Sequence, residues 1–461
     1  MIRNASLIPA MKLHRYFWIL LFTLIARHSA SADDWPTFRH DAARTGYTSE
    51  NLADDLTLQW TFRSQKPTRP AWPRSQRMTF DQAMQPIIAE GRVFFGSSVD
   101  GRIYALDATS GQQTWTFPTR APIRFAPAWH KGKLYAVSDD GFLYCLNAAN
   151  GKLLWKKRGG PGDEMSLGNG RMISRWAARG GAVVHDGIVY FAAGIWPSDG
   201  VSLHALDPDT GKTLWVNDTA GSIYMGQPHG GAFAKSGVAS QGYLAASDSQ
   251  LFMATGRGVP AAFDRKTGAF QYLHLQSNTK LGGSDITLSD KFFINSGYAF
   301  DQKAGATGQR IGAGPMVATP GGVVCSINKT LLQFEWRDTK KVDRKGKPQS
   351  IRSLVKSFTS IHRADAVSSI VANDKHIVGH DGQVTITKLG QTNELWRASV
   401  SGVAHGLAAA NQRLFVSTDA GEIHCFGAGA KTPRILESNL DATPYEASVD
   451  IVKAAEEIIR K

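Results

Sequence analysis

An eleven-residue pattern recurs without gaps, and no other feature constrains the fold of this chain as tightly. Three copies are Ala105-Leu-Asp-Ala-Thr-Ser-Gly-Gln-Gln-Thr-Trp115, Cys145-Leu-Asn-Ala-Ala-Asn-Gly-Lys-Leu-Leu-Trp155 and Ala205-Leu-Asp-Pro-Asp-Thr-Gly-Lys-Thr-Leu-Trp215. A fourth, Ala262-Phe-Asp-Arg-Lys-Thr-Gly-Ala-Phe-Gln-Tyr272, ends in tyrosine. Each conserved-looking type has a mechanical reason. The third residue (Asp107, Asn147, Asp207, Asp264) offers a side-chain oxygen to the turn backbone, and the seventh (Gly111, Gly151, Gly211, Gly268) accepts positive φ. The aromatic (Trp115, Trp155, Trp215, Tyr272) falls on the returning outer strand, where a large flat ring packs between sheets.

A second recurrence surrounds the first: an apolar strand, a short polar turn, and another apolar strand. The second strands begin near Val93, Leu134, Val189, Leu251, Phe292, Val323, Ile377 and Leu414. Their mean spacing of about 46 residues suits four-stranded propeller blades. The expected fold is therefore all-β, an eight-bladed β-propeller. Seven blades stays open because the copies near Phe292 and Val323 are degenerate and closely spaced. Leu58-Gln-Trp60-Thr-Phe62 reads as an outer strand without a blade, whereas the last hairpin, Arg413 to Phe426, lacks an outer strand. The N-terminal strand is thus expected to complete the last blade and close the ring, which removes exposed sheet edges.

With 461 residues, about three separate domains would be the usual expectation, but a repeat array overrides it. Hydrophobic residues at 42% and charged residues at 20% exclude a disordered chain. Lys12, His14 and Arg15, an apolar run over Tyr16–Ala26, and Ala30-Ser31-Ala32 form a secretory signal, cut after Ala32. Met11 is an alternative start. The apolar run is too short to span a bilayer, which takes about 20 residues. No transmembrane segment is expected after cleavage, and the protein is expected to be periplasmic or secreted. Removing Arg3, Lys12, Arg15 and Arg27 lowers the net charge from +13 to +9. That favours anionic partners in general, but no recognisable nucleic-acid module accompanies it.

The A-x-D-x-x-T-G-x-x-x-W pattern resembles the repeat of pyrroloquinoline-quinone (PQQ) dehydrogenase propellers and their cofactor-free relatives, among them the propeller lipoprotein of outer-membrane β-barrel assembly. The resemblance covers nearly all of residues 33–430. The segments 34–46, 225–237 and 256–264 further resemble exported PQQ-like propellers common in planctomycete-type bacteria, a group whose activity is unsettled. The dehydrogenases set a vicinal Cys-Cys disulfide against the quinone and hold Ca²⁺ with acidic and amide side chains. Here Cys145, Cys325 and Cys425 stand apart, and Cys145 and Cys425 read as small buried residues within strands. No calcium-loop spacing is present. No quinone and no metal are expected.

Met165–Arg179 interrupts the repeat and places Arg171, Arg175, Trp176 and Arg179 at a ring face. Arginine forks beside a tryptophan suit carboxylate, sulfate or phosphate groups; an inter-blade connector with solvated charges is the plainer alternative. His229, beside Pro228 and two glycines, either lines the central channel or caps a turn. Arg337–Lys347 reads as a basic loop. No catalytic arrangement can be assigned.

Residues 431–461 are set aside as a linker and an amphipathic helix, with Thr443 as N-cap and Ile451, Val452, Ala455, Ile458 and Ile459 on one face. Either that helix packs on the ring, or it begins a domain beyond residue 461, as the resemblance implies for larger propellers that continue into a methyltransferase-like domain. The resulting expectation is a signal peptide at 1–32, a propeller at 33–430, and a binding or scaffolding module for a protein or saccharide partner in the envelope. The rivals are an enzyme acting on an anionic small molecule or saccharide in the funnel, or a degenerate quinoprotein dehydrogenase.

Overall fold

The computed structural model describes residues 34–439 apart from 228–229, 257, 276–281, 306, 343–345 and 362–363, together with 453, 456 and 457. The signal at 1–32, His229 and, apart from residues 453, 456 and 457, the segment 440–461 lie outside the described residues. Of the expected C-terminal helix only Lys453, Glu456 and Glu457 are described, each in helical conformation, and the rest lies outside the described residues; the one helical element with described bounds is the 3-10 turn Pro197–Asp199.

The repeat folds as its chemistry demands. In the first sheet, Ile87–Ala89, Arg92–Gly96, Arg102–Asp107 and Gln113–Pro118 pair antiparallel in chain order. The same four-strand meander is built from Ala128–His130 to Leu153–Arg158, from Gly180–His185 to Thr213–Asn217, and from Ala245–Ala246 to Phe270–Tyr272. It recurs from Thr287–Ser289 to Thr307–Arg310 and from Met316–Thr319 to Pro348–Ile361. The strand Glu394–Ala410 belongs to two meanders. Its first half pairs with Asp381–Lys388, and its second half, from Ala404, pairs with Arg413–Thr418.

The ring closes through its N-terminal strand. Leu56–Arg63 pairs antiparallel with Glu422–Ala428, setting Trp60 opposite Cys425 and Phe62 opposite Ile423. Arg434–Glu437, within the stretch set aside as linker, then adds in parallel to the outer side of Leu56–Arg63. The architecture is an all-β propeller.

The turn chemistry also locks neighbouring sheets together. Asp107 Oδ1 accepts the backbone N–H of Ser110 (2.7 Å), and Asp207 and Asp264 do the same for Thr210 and Thr267 (both 2.8 Å). Each turn glycine sits at positive φ, between 68° and 74°. A Cβ on Gly151, Gly211 or Gly268 would lie 2.6, 2.7 or 2.4 Å from the tryptophan of the preceding sheet, Trp115, Trp155 or Trp215. Those three indoles donate to Ala148 O, Pro208 O and Arg265 O at 3.1–3.3 Å. The ring thus needs glycine for both backbone conformation and close approach. Trp60 of the closing strand makes the same contact with the turn at Ala108 and Gly111. Asp301 and Gly305 form a fifth such turn, packed on Tyr272.

One expectation is corrected. Arg337–Lys347 is not a basic loop from its start: Arg337 to Val342 continue the strand Thr330–Val342, which pairs with Pro348–Ile361. Trp336 anchors that long hairpin, stacking on Phe292 (4.8 Å) and donating to Ser289 Oγ at 2.8 Å. Its charges drew the eye away from the alternating pattern Leu331, Gln333, Glu335 against Leu332, Phe334, Trp336.

Candidate functional site

Two segments of the chain's own N-terminal region cross the ring at opposite ends of the innermost strands. Residues 35–48 visit the innermost strands in ring order. Trp35 bridges Ile88, Pro36 O accepts from Trp129 N (2.7 Å), and Ala42 O and Ala43 O accept from Ala246 N and Leu288 N (both 2.8 Å). Thr45 O and Gly46 O then accept from Ala318 N and Val371 N (both 2.9 Å). Arg44 is fully buried; its guanidinium donates to Leu244 O (2.8 Å), Ala182 O (3.0 Å) and Thr37 Oγ1 (2.6 Å). Burial lowers the Arg44 pKa to about 10, still charged at neutral pH. It ties the segment to two sheets at once.

The other end is crossed by residues 64–86, which link the closing strand to the first sheet. Ser64 N and Thr68 N donate to Gly421 O (2.9 Å) and Asp419 O (3.1 Å) of the last sheet. Trp72 Nε1 donates to Gln241 Oε1 (2.9 Å), and Arg77 O accepts from Ser284 N (2.9 Å). Phe80 stacks on Phe125 at 4.7 Å.

Under this second segment lies a buried ionic chain. Arg179 bonds Asp139 (3.0 and 3.1 Å), Asp139 bonds Arg124 (2.5 Å), and Arg124 bonds Asp81 (2.7 Å), whose other contact is Ala71 N (2.8 Å). Burial opposes ionisation of Asp139, but Arg179 and Arg124 outweigh it and hold its pKa below the usual carboxylate range. Burial raises the pKa of Asp81 despite Arg124. Removing Asp139 leaves Arg179 without its partner, and removing Arg124 leaves Asp81 without its own, each at a cost of about 3–5 kcal/mol. Arg124, Asp139 and Asp81 carried no sequence signal, because each partner lies at least 15 residues away.

The arginine-rich candidates separate. Met165–Gly168 and Arg171–Ser174 form a two-stranded hairpin. Arg171 donates to Ser98 O (3.0 Å) and, with Arg120, edges a cleft of about 180 Å³. Arg175 pairs with Glu164 (3.3 Å) and Asp199 (3.1 Å), and Trp176 is buried with its indole N–H on Asp199 O (2.6 Å). Arg179 is committed to Asp139. These four do not converge on one pocket.

What the sequence did not indicate is the apolar character of this end. Leu167 and Met172, opposite each other on the hairpin, are more than half exposed. So are Trp196, which caps the turn Pro197–Asp199, and Tyr224 and Phe233, stacked at 5.9 Å on the hairpin Ile223–Gly226/Phe233–Ser236. The two hairpins flank the sheet 180–217. Among the described residues one trio, His185, Asp186 and Asp248, brings possible metal ligands together, and Arg265 already holds Asp186 at 2.6 Å. No helix among the described residues is long and apolar enough to cross a membrane.

Turn chemistry, meander topology and ring closure define a PQQ-repeat propeller. The chain matches the family described as outer membrane protein assembly factor BamB over residues 53–215 and 175–428, and it belongs to that family. It is 26% identical over 154 residues to a quinohemoprotein alcohol dehydrogenase of Comamonas testosteroni, covering 31% of this chain and 21% of that protein. It is 34% identical over 186 residues to the serine/threonine-protein kinase AfsK of Streptomyces coelicolor, covering 40% and 21%. The chain thus aligns with only about a fifth of either relative's length. In fold it is similar to the solved Comamonas testosteroni quinohemoprotein alcohol dehydrogenase (TM-score 0.61, 15% identity, 92% of this chain and 84% of the other). A europium-containing methanol dehydrogenase is similar too (TM-score 0.58, 13% identity, 86% and 98%).

Proposed function

We propose that this protein is an exported propeller, read here as eight blades, that serves as a binding or scaffolding module for a protein partner and holds no quinone. The observation that carries this reading is the allocation of its surfaces. The chain's own segments 35–48 and 64–86 cross both ends of the ring, while Leu167, Met172, Trp196, Tyr224 and Phe233 are left exposed on one end. Apolar side chains clustered on projecting hairpins suit a partner interface better than bulk water does. The family's description as an assembly factor accords with this role.

The residues do not fit the quinone site that the dehydrogenase resemblance implies. Cys145, Cys325 and Cys425 are free and buried in three separate sheets. Burial pushes each thiol up to about 12, so none is a poised redox group. A second reading has one observation in its favour: the cleft beside Arg171 and Arg120 has room for a small anion.

A photo-crosslinker in place of Tyr224 tests the docking face in envelope extract. A discrete crosslinked protein is expected, and Leu167→Glu or Phe233→Glu should abolish it without changing the melting temperature. Undiminished crosslinking in both variants would contradict this docking face. A stoichiometric chromophore with dye-linked alcohol oxidation, after adding quinone and Ca²⁺, would contradict the module reading.

A further inference from the structure

We propose that the cleft between the N-terminal segment and the second and third sheets binds a small neutral polyol, the size of a mono- or disaccharide. This does not rest on the docking reading, because the cleft lies at the ring end opposite the apolar hairpins.

The cleft has a volume of about 430 Å³ and is lined by Asp34, Thr37, His40, Asp41, Trp129 and His130, among others. That volume is within the usual range for ligand sites, about 300–1,000 Å³. The backbone that presents His40 is strained: Arg39 and His40 have φ of 55° and 78°, a left-handed conformation that non-glycine residues rarely adopt. Such strain persists only where its surroundings enforce it, and it gathers at functional sites. Here the enforcement is visible. Arg39 donates to Arg44 O (3.0 Å) and to Met316 O of another sheet, Arg44 is clamped as described, and Trp35 meets the His40 ring edge-on at 5.2 Å.

The polar groups around the cleft select the ligand's chemistry. The Trp129 indole N–H is covered and has no acceptor within the protein, which leaves a donor unsatisfied. His40 Nδ1 also lacks a hydrogen-bond partner; its nearest acid oxygen, Asp41 Oδ2, is 3.9 Å away. Asp34 contributes a carboxylate, whose Oδ2 accepts a long bond from Glu90 N (3.3 Å). Burial, with Lys131 and Lys133 nearby, lowers the His130 pKa, so this ring is neutral at pH 7. Two carboxylates repel an anion. A cation offers no acceptor to the indole or imidazole. Hydroxyl groups both donate and accept, and a sugar's C–H face packs on an indole, so a polyol suits this mixture of donors and acceptors. Trp129 Nε1 and His40 Nδ1 are both covered, so their bonds to a bound hydroxyl require rotation of these side chains on binding.

The experiment uses the purified full chain with glucose, N-acetylglucosamine, maltose and cellobiose at millimolar concentration, read by saturation-transfer NMR and tryptophan fluorescence. At least one sugar should receive saturation and perturb fluorescence. Trp129→Phe, which keeps an aromatic face but removes the N–H together with the five-membered ring, should weaken it by about tenfold. Asp34→Asn, on the accessible rim, should weaken it as well, and Tyr224→Glu should leave it unchanged. No saturation transfer to any of the four sugars, binding unaffected by both cleft variants, or preferential binding of sulfate or ammonium would each overturn the proposal.

Discussion

A glycine and a tryptophan, repeated, carry much of the specification of this ring. At Gly211 the backbone has φ of 68°, and a Cβ would sit 2.7 Å from Trp155 Cδ2. Gly211→Ala therefore combines backbone strain with a clash against the partly buried Trp155 ring. A loss of about 2–4 kcal/mol is expected, measured as the shift in denaturant midpoint. Trp155→Phe keeps most of the packing and gives up the indole bond to Pro208 O, for about 1 kcal/mol. If Gly211→Ala melted like the wild type, the interlocking account of the repeat would be wrong. At this scale the sequence was highly legible, since Asp207, Gly211 and Trp215 perform local jobs that local residue types declare. Arg44 and Arg39 were illegible for the opposite reason. Arg44 bonds a carbonyl 200 residues away and Arg39 one 277 residues away, and no neighbouring residue records such partners.

Among elements, the N-terminal strand has the largest structural consequence. Leu56–Arg63 supplies the neighbour of Glu422–Ala428, so its removal bares a ladder of unpaired groups on a buried, apolar strand. Deleting residues 56–63 should shift the protein toward larger oligomers or aggregates on size exclusion and lower the melting temperature by several degrees. An unchanged size and stability would show that the ring does not depend on this closure. The need for closure was visible in the sequence as two complementary deficits, an outer strand without a blade and a blade without an outer strand. The hairpin of Thr330–Val342 and Pro348–Ile361 was less visible. Its charged tip resembles a solvated loop, and only Trp336 and the alternation before it betray a strand. The candidate site was legible in outline alone. The insertion at Met165–Arg179 stood out from the repeat, yet the partners that claim its arginines come from Ser98, Asp139 and Asp199, on other parts of the ring.

For the whole molecule, the account holds that the ring's ends are crossed by its own chain, leaving recognition to surfaces around them. Hydrogen–deuterium exchange on the full chain, read by mass spectrometry, tests this most directly. The amides of Trp35, Arg44 and Gly46 bond to carbonyls at Ile88, Asp41 and Arg39, and those of Ser64 and Thr68 bond to the last sheet. Peptides covering 34–48 and 64–72 should exchange as slowly as peptides from the meander strands, and adding quinone with Ca²⁺ should change neither. Exchange of these peptides at the rate of exposed turns, or their protection only when quinone is present, would mean that the ring is open and its centre is a ligand site after all.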